Sequence, residues 1–173
     1  MFVRRTGAVV ALALAAVMLS GCATSLTTLL GGAGRDEEGQ IESGGDLDVF
    51  TIKVGDCFFD DALAGVTGDE QSETSTVRAV PCDEKHMFEA YHDFTLPEGE
   101  FPGADVLDEK ALTECGTAFD EYIGVPYEDS IYEYSYYTPS PETWEYNDDR
   151  LVSCVLSDPE GETLTGSLKG IGK

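Results

Sequence analysis

Asp105 to Gly124 reads DVLDEKALTECGTAFDEYIG. Leu107, Ala111, Cys115, Ala118, Phe119 and Tyr122 recur there at intervals of three and four, the spacing that lines side chains along one face of an α-helix. Asp105 supplies an N-cap and Gly124 stands just past the end. Cys115 therefore lies on the buried stripe. Further along, Leu151 to Leu156 (LVSCVL) reads as a strand in which Val152, Cys154 and Leu156 share one face. A helix stripe laid against that face pairs Cys115 with Cys154.

The remaining elements are placed from the same signals. Val49 to Phe58 alternates as a first strand, Ala62 to Thr74 is a polar loop, and Thr76 to Cys82 is a second strand stopped by Pro81. Met87 to Leu96 is a third, with Phe88, Ala90, Phe94 and Leu96 on one face and Glu89, Tyr91 and Asp93 on the other. Pro97 to Gly103 turns the chain into the helix. Ile131 to Thr138 is a tyrosine-rich strand followed by a Pro-Ser-Pro-Glu turn. Leu151 to Ser157, the turn Asp158-Pro159-Glu160-Gly161, and Thr163 to Leu168 read as a terminal hairpin. Two groups of strands around one principal helix predict an α+β fold with a small, mainly antiparallel sheet. No internal repeat is present.

Four cysteines in this region, Cys57, Cys82, Cys115 and Cys154, are too far apart for the close pairs of a zinc site. In an exported chain they predict two disulfides. With Cys115–Cys154 set, Cys57–Cys82 joins the ends of two early strands. Loops of this size contribute about 3–4 kcal/mol per bridge in the chain-entropy account.

The N-terminus supplies the export signal. Arg4 and Arg5 precede an apolar run, Gly7 to Leu19, that is short for a membrane span. It ends in Leu19-Ser20-Gly21-Cys22, which resembles the bacterial lipoprotein signal. That resemblance implies removal of residues 1–21 and acyl chains on Cys22, enough to hold the protein on the outer face of the cytoplasmic membrane. Residues 22–46 read as the acylated cysteine and a Gly-rich acidic linker, and residues 47–173 as the folded domain. A coil of roughly 24 residues keeps that domain about 25–30 Å from its anchor.

The 173-residue chain carries a formal charge of −24, with ten Lys+Arg against 34 Asp+Glu. Without Arg4 and Arg5, eight bases face 34 acids, a formal −26. Such a surface does not bind nucleic acid and is repelled by anionic lipids or wall polymers. It keeps the protein soluble, or draws in divalent cations or a basic partner.

Several short motifs then line up: Val54-Gly55-Asp56-Cys57-Phe58; Val80-Pro81-Cys82 leading to His86 and Glu89-Ala90-Tyr91; Cys115; Trp144 before Asp149-Arg150 and Cys154; and Thr165-Gly166-Ser167-Leu168. Together they resemble the septum-formation domain family, found in envelope proteins of high-GC Gram-positive bacteria, often as lipoproteins. The resemblance spans Val54 to about Gly170. Two positions depart from it: Lys85 stands where a proline often precedes the histidine, and Asp148 where a glycine precedes Asp149-Arg150. It implies an extracytoplasmic domain linked to division, with no established catalytic residues.

Each candidate site residue has two readings. His86 and His92 would serve as a general base or a metal pair, or as histidines satisfied by neighbouring backbone, His92 on a face with Phe88 and Phe94. Tyr132, Tyr134 and Tyr136 share a strand face and, with Trp144, form either a platform for a sugar or peptide or a layer packed under the helix. Arg150 forms a bidentate pair with Asp149 or another carboxylate, or an anion site. The sequence has no G-x-S-x-G, S-x-x-K, H-E-x-x-H, C-x-x-C, P-loop or EF-hand pattern. It predicts no cofactor and no metal site. The leading expectation is a lipid-anchored, non-enzymatic interaction domain linked to septum formation or wall assembly, contacting an envelope protein. The alternative is a lipoprotein holding a wall fragment or other solute on the Tyr/Trp face; a third is a hydrolase using His86 or His92.

Overall fold

The computed structural model describes residues 31–65 and 74–173. The expected signal peptide, Cys22 and the first part of the expected linker lie outside the described residues, as does most of the expected loop after Ala62. Among the described residues no helix is long and apolar enough to cross a membrane.

A six-stranded antiparallel sheet forms the frame. Its strands are β3 (Gly45–Asp48), β4 (Cys57–Phe59), β5 (Thr76–Val80), β7 (Phe88–Thr95), β8 (Glu133–Tyr137) and β9 (Leu151–Ser157), in the spatial order β3-β5-β4-β7-β9-β8. Two small ladders flank it: β1 (Gly34–Arg35) with β2 (Ile41–Ser43), and β6 (Lys85–His86) with β10 (Leu164–Thr165). The helices are α1 (Asp61–Ala64), α2 (Ala104–Ile123) and α3 (Pro141–Tyr146). The fold is α+β with one principal helix, as the patterning predicts.

Helix α2 buries Leu107, Ala111, Cys115, Phe119 and Ile123 against one face of the sheet, where they meet Tyr91, Val152, Cys154 and Leu156. Its start differs from expectation: Asp105 sits in the first turn, and the N-cap is Gly103, which makes no side-chain cap bond. Its end is as read, with Gly124 in the left-handed conformation (φ 94°) that an L side chain adopts only at a cost. The opposite face buries Leu47, Phe58, Val77, Phe88, Ala90 and Val155. Both disulfides form as expected, Cys57–Cys82 with Cα atoms 5.2 Å apart and Cys115–Cys154 with 5.6 Å. The second ties α2 to β9, and the first ties β4 to the turn after β5.

Four expectations are corrected. First, the Gly-rich linker does not extend to residue 46. Ile41 is buried in the second core, and the Arg35 guanidinium grips Asp56 with two bonds of 2.6 and 2.7 Å, so the folded domain reaches back to Gly31. Second, Val49 to Phe58 is not one strand. Asp48 accepts a hydrogen bond from the Phe50 N–H and starts a 3-10 turn over Val49–Thr51, and Gly55 takes φ 92°, which breaks the extended run. Third, the pairing of β7 with β9 shifts register between Ala90 and His92. The extra residue reverses the alternation, so Phe88 and Ala90 face one core while Phe94 and Leu96 face the other, beside Tyr91. Fourth, the terminal hairpin does not form. Strand β9 already has β7 and β8 on its two sides, so the tail crosses to β6 and becomes β10.

The tail is held by a buried carboxylate. Glu89 has no exposed surface, and its Oε1 accepts from the Tyr122 hydroxyl (2.9 Å) and the Ser167 hydroxyl (2.5 Å). Its Oε2 accepts from the Leu168 N–H at 2.7 Å. The Glu89-Ala90-Tyr91 and Thr165-Gly166-Ser167-Leu168 motifs thus meet in space. Ala90 also meets the first motif, accepting from the Gly55 N–H at 2.7 Å and donating to Asp56 O at 2.9 Å.

Two outcomes follow. Glu89→Ala strands three donors around an empty site, and urea unfolding should register a loss of about 3 kcal/mol with the tail released; an unchanged midpoint contradicts this role. Burial and then Tyr134 raise the Tyr91 hydroxyl far above the ordinary phenol range, and burial, the hydrogen bond to Asp60 and the Asp60 charge do the same to Tyr137. Their folded-state values lie above the unfolded ones, so this stabilisation is complete below about pH 10 and is lost as pH rises beyond it. Circular dichroism against pH should show stability falling by about 1.4 kcal/mol per pH unit for each of the two.

Candidate functional site

The two features that the sequence singles out in the last third of the chain, Trp144 and Arg150, come together. Helix α3 is nucleated by a capping box in which the Ser140 hydroxyl accepts from Thr143 N while Thr143 Oγ1 accepts from Ser140 N, with Pro141 in the first turn. That short helix turns Trp144 inward. The indole is buried, donates from Nε1 to Gly99 O at 2.9 Å and meets the Phe101 ring edge-on, with centroids 5.7 Å apart.

The chain then reverses. Asp148 takes φ 54°, the one non-glycine residue with positive φ among those described, and it stands where the family resemblance has a glycine. This turn swings Arg150 back over the indole, its guanidinium carbon 3.8 Å from the ring centroid. Nη1 donates to Trp144 O at 2.9 Å and to Asp149 O at 2.8 Å, while Nη2 lies 3.3 Å from Asp148 and 3.5 Å from Glu98. The expected carboxylate partner Asp149 is instead used inside the turn, where its side chain accepts from Thr143 Oγ1 and Leu151 N. Arg150 is thus an ion-paired, stacked structural cation, paired to Asp148 and Glu98 rather than bidentate to Asp149.

Two shallow grooves open on either side of this turn. One, about 390 Å3, runs between Phe50, Thr95 and residues 147–151. The other, about 180 Å3, has an apolar floor of Leu96, Pro97, Val106 and Trp144, with Glu98 and Glu100 beside it. Both grooves carry mixed charge at the rim, Asp148, Asp149 and Arg150 at the first and Glu98, Glu100 and Lys110 at the second.

The other expected site residues lie elsewhere. Tyr132, Tyr134 and Tyr136 pack against the α2 core, half-buried. Tyr134 touches Phe119 and Tyr127 and donates to Leu112 O at 3.3 Å. Burial first, then Tyr127 and Asp120, raises the Tyr134 hydroxyl above its ordinary range; burial, then Asp108 and Tyr134, does the same for Tyr136. This row and Trp144 do not make one platform. His86 has no exposed surface and its Nδ1 lies 3.0 Å from Glu84 O. His92 stacks on Phe94 but is separated from Phe88 by the register shift. The two histidines sit in different sheets.

Among the described residues, the grouping of metal-type ligand atoms consists of Cys57, Cys82 and Glu89 within 4.8 Å. Two of its members are the sulfurs of one disulfide, and the third is the carboxylate already saturated by Tyr122, Ser167 and Leu168. The chemistry-bearing residues that the sequence reading passed over are Glu89, Asp56 and Arg35. The alternation of the strand placed Glu89 on its polar face with Asp93, so its burial was not legible in the sequence.

The turn generates a test. Asp148→Gly relieves the left-handed strain and loses an exposed ion pair, so the domain should keep or gain up to about 1 kcal/mol. Asp148→Val should cost about 1–2 kcal/mol by urea unfolding, the β-branched side chain being ill-suited to that backbone.

No curated protein and no solved structure matches the chain. A family model does, that for septum formation, over residues 62–171, which is more than half of the chain and most of its folded part. With Gly55–Asp56, Glu89–Tyr91 and Gly166–Leu168 meeting at one junction inside the fold, this chain belongs to the septum-formation family.

Proposed function

We propose that this chain is a lipid-anchored, extracytoplasmic interaction domain that serves septum formation without being an enzyme. Family membership carries the septal part of the reading. The export part is supported by the two disulfides, which persist in an oxidising compartment, and by the lipoprotein-like run ending at Cys22. The interaction part is supported by where the buried polar groups are used. Asp56 is bound to Arg35, Glu89 to three donors and Asp60 to the start of α1 and to Tyr137, each of them holding one segment to another. A rigid scaffold with an acidic exterior suits recognition of a basic protein surface. The solute-binding alternative has less support, because Trp144 is buried and the tyrosine row packs beside α2.

Fractionation of cells carrying Cys22→Ala tests the anchor: the folded domain should leave the membrane fraction, and retention there sinks the lipid claim. Crosslinking the anchored form in intact cells tests the role. Division or wall-synthesis proteins should be captured and then lost with Cys22→Ala; capture unchanged by the substitution contradicts the reading.

A further inference from the structure

The two ends of the main sheet are treated differently. At one end, β3 is covered: Gly32 bridges Asp46 in parallel, Ala33 N–H donates to Asp46 O at 2.9 Å, and Asp46 N–H donates to Gly31 O at 2.9 Å. At the other end, β8 pairs with β9 on one side, and among the described residues no strand lies on its other side. An open edge presents alternate backbone N–H and C=O groups, and proteins usually blunt one with lysine, proline or a bulge. Residues 133–137 (EYSYY) contain no lysine or proline, and their pairing with β9 runs without a register shift.

The surroundings of that edge select an occupant. On the α2 side, half-buried Tyr134 adjoins Leu112 and Tyr127, which are 52% and 42% exposed, and half-buried Tyr136 lies on the same face. Gly116 keeps this corner tight, since a Cβ there would lie 3.0 Å from the Tyr134 hydroxyl. Acids flank the row, with Asp108 acting on Tyr136, Asp120 on Tyr134, and exposed Glu133 opening the strand itself. A second copy of this chain would bring the same Glu133 and the same net negative charge to the edge. An acidic strand or an anionic lipid surface meets the same repulsion.

We infer that β8 is a docking edge for an extended, basic segment of a partner protein, which adds a seventh strand with apolar side chains over Tyr134, Tyr136 and Leu112 and, on its opposite face, lysines or arginines toward Glu133. Backbone pairing supplies affinity and the alternating side chains supply selectivity. Gly31, the first described residue, sits at the β3 end, about 24 Å across the sheet from β8. The inference rests on the interaction-domain reading and names its surface.

The test uses the mature chain with Cys22→Ala and both disulfides intact, and as probe an acetylated, amidated heptapeptide of alternating lysine and valine. Amide chemical shifts should move saturably at residues 133–137, Leu112 and Tyr127. Raising salt from about 50 to 300 mM should weaken binding several-fold, and Glu133→Gln about two- to fivefold. The same peptide N-methylated on alternate backbone nitrogens should bind at least tenfold more weakly. Equal binding by the N-methylated peptide reduces the contact to charge alone and overturns the inference. So do shifts scattered over the acidic surface, and so does no shift at millimolar peptide. Concentration-dependent broadening at β8 without peptide assigns the edge to a second copy and overturns it too. The in-cell capture experiment with the anchored form is independent of the edge: septal partners captured there while the peptide fails here move the contact to another surface and leave the interaction reading standing.

Discussion

Glu89 sits in the longest strand with no surface of its own, and a carboxylate in that position must be surrounded by donors or the fold fails. Its donors come from far away in sequence: the Tyr122 hydroxyl from the end of α2, and the Ser167 hydroxyl and Leu168 N–H from the tail. One side chain thereby holds helix, sheet and C-terminus to each other. Leu164 and Leu168 enter the α2 core on the strength of it, and Gly166 N–H reaches Cys82 O, beside the Cys57–Cys82 bridge. The bridge and the carboxylate lie within 4.8 Å of each other, so the covalent and the hydrogen-bonded clamp act on the same place.

A second buried carboxylate, one strand away, does the same work for the N-terminal segment. Asp56 draws in Arg35 and with it the β1–β2 hairpin, which covers part of the second core through Ile41. Bases are scarce in this protein, and several are held against neighbouring side chains. Arg78 lies over Phe59, Arg150 over Trp144 and Lys169 over Tyr122, while Arg35 is bound to Asp56. Lys53, Arg78, Lys85, Lys110, Lys169 and Lys173 remain exposed, but they are far outnumbered by the acids, 34 in the whole chain, so the exterior is predominantly acidic. That exterior disfavours anionic lipid headgroups and like-charged copies and favours a basic partner.

The helix, its buried stripe and most strands could be read from periodicity, because each is set by spacing within one short segment; the disulfide pairs followed because the helix stripe and strand face carrying Cys115 and Cys154 were both legible and two cysteines were then left over. Trp144 and Arg150 were legible as individuals but not as a stacked pair, since their contact depends on a left-handed turn at Asp148 that residue preferences disfavour. The register shift in β7 was invisible because alternation continues on both sides of it; only the partner strand shows that one residue is extra. The hairpin expected at the C-terminus was excluded by occupancy rather than by propensity, as β9 had no free side to offer.

Local order, covalent pairing, acidity and the export-type N-terminus are properties of the sequence alone, because each rests on residue type and spacing. Which edge stays open, which acids are buried and which segments they recruit were decided by tertiary structure. The physical reason is that donors for Glu89 and Asp56 are ordinary hydroxyl, amide and guanidinium groups 33 to 79 and 21 residues away, which carry no pairing signal of the kind that an even set of cysteines gives.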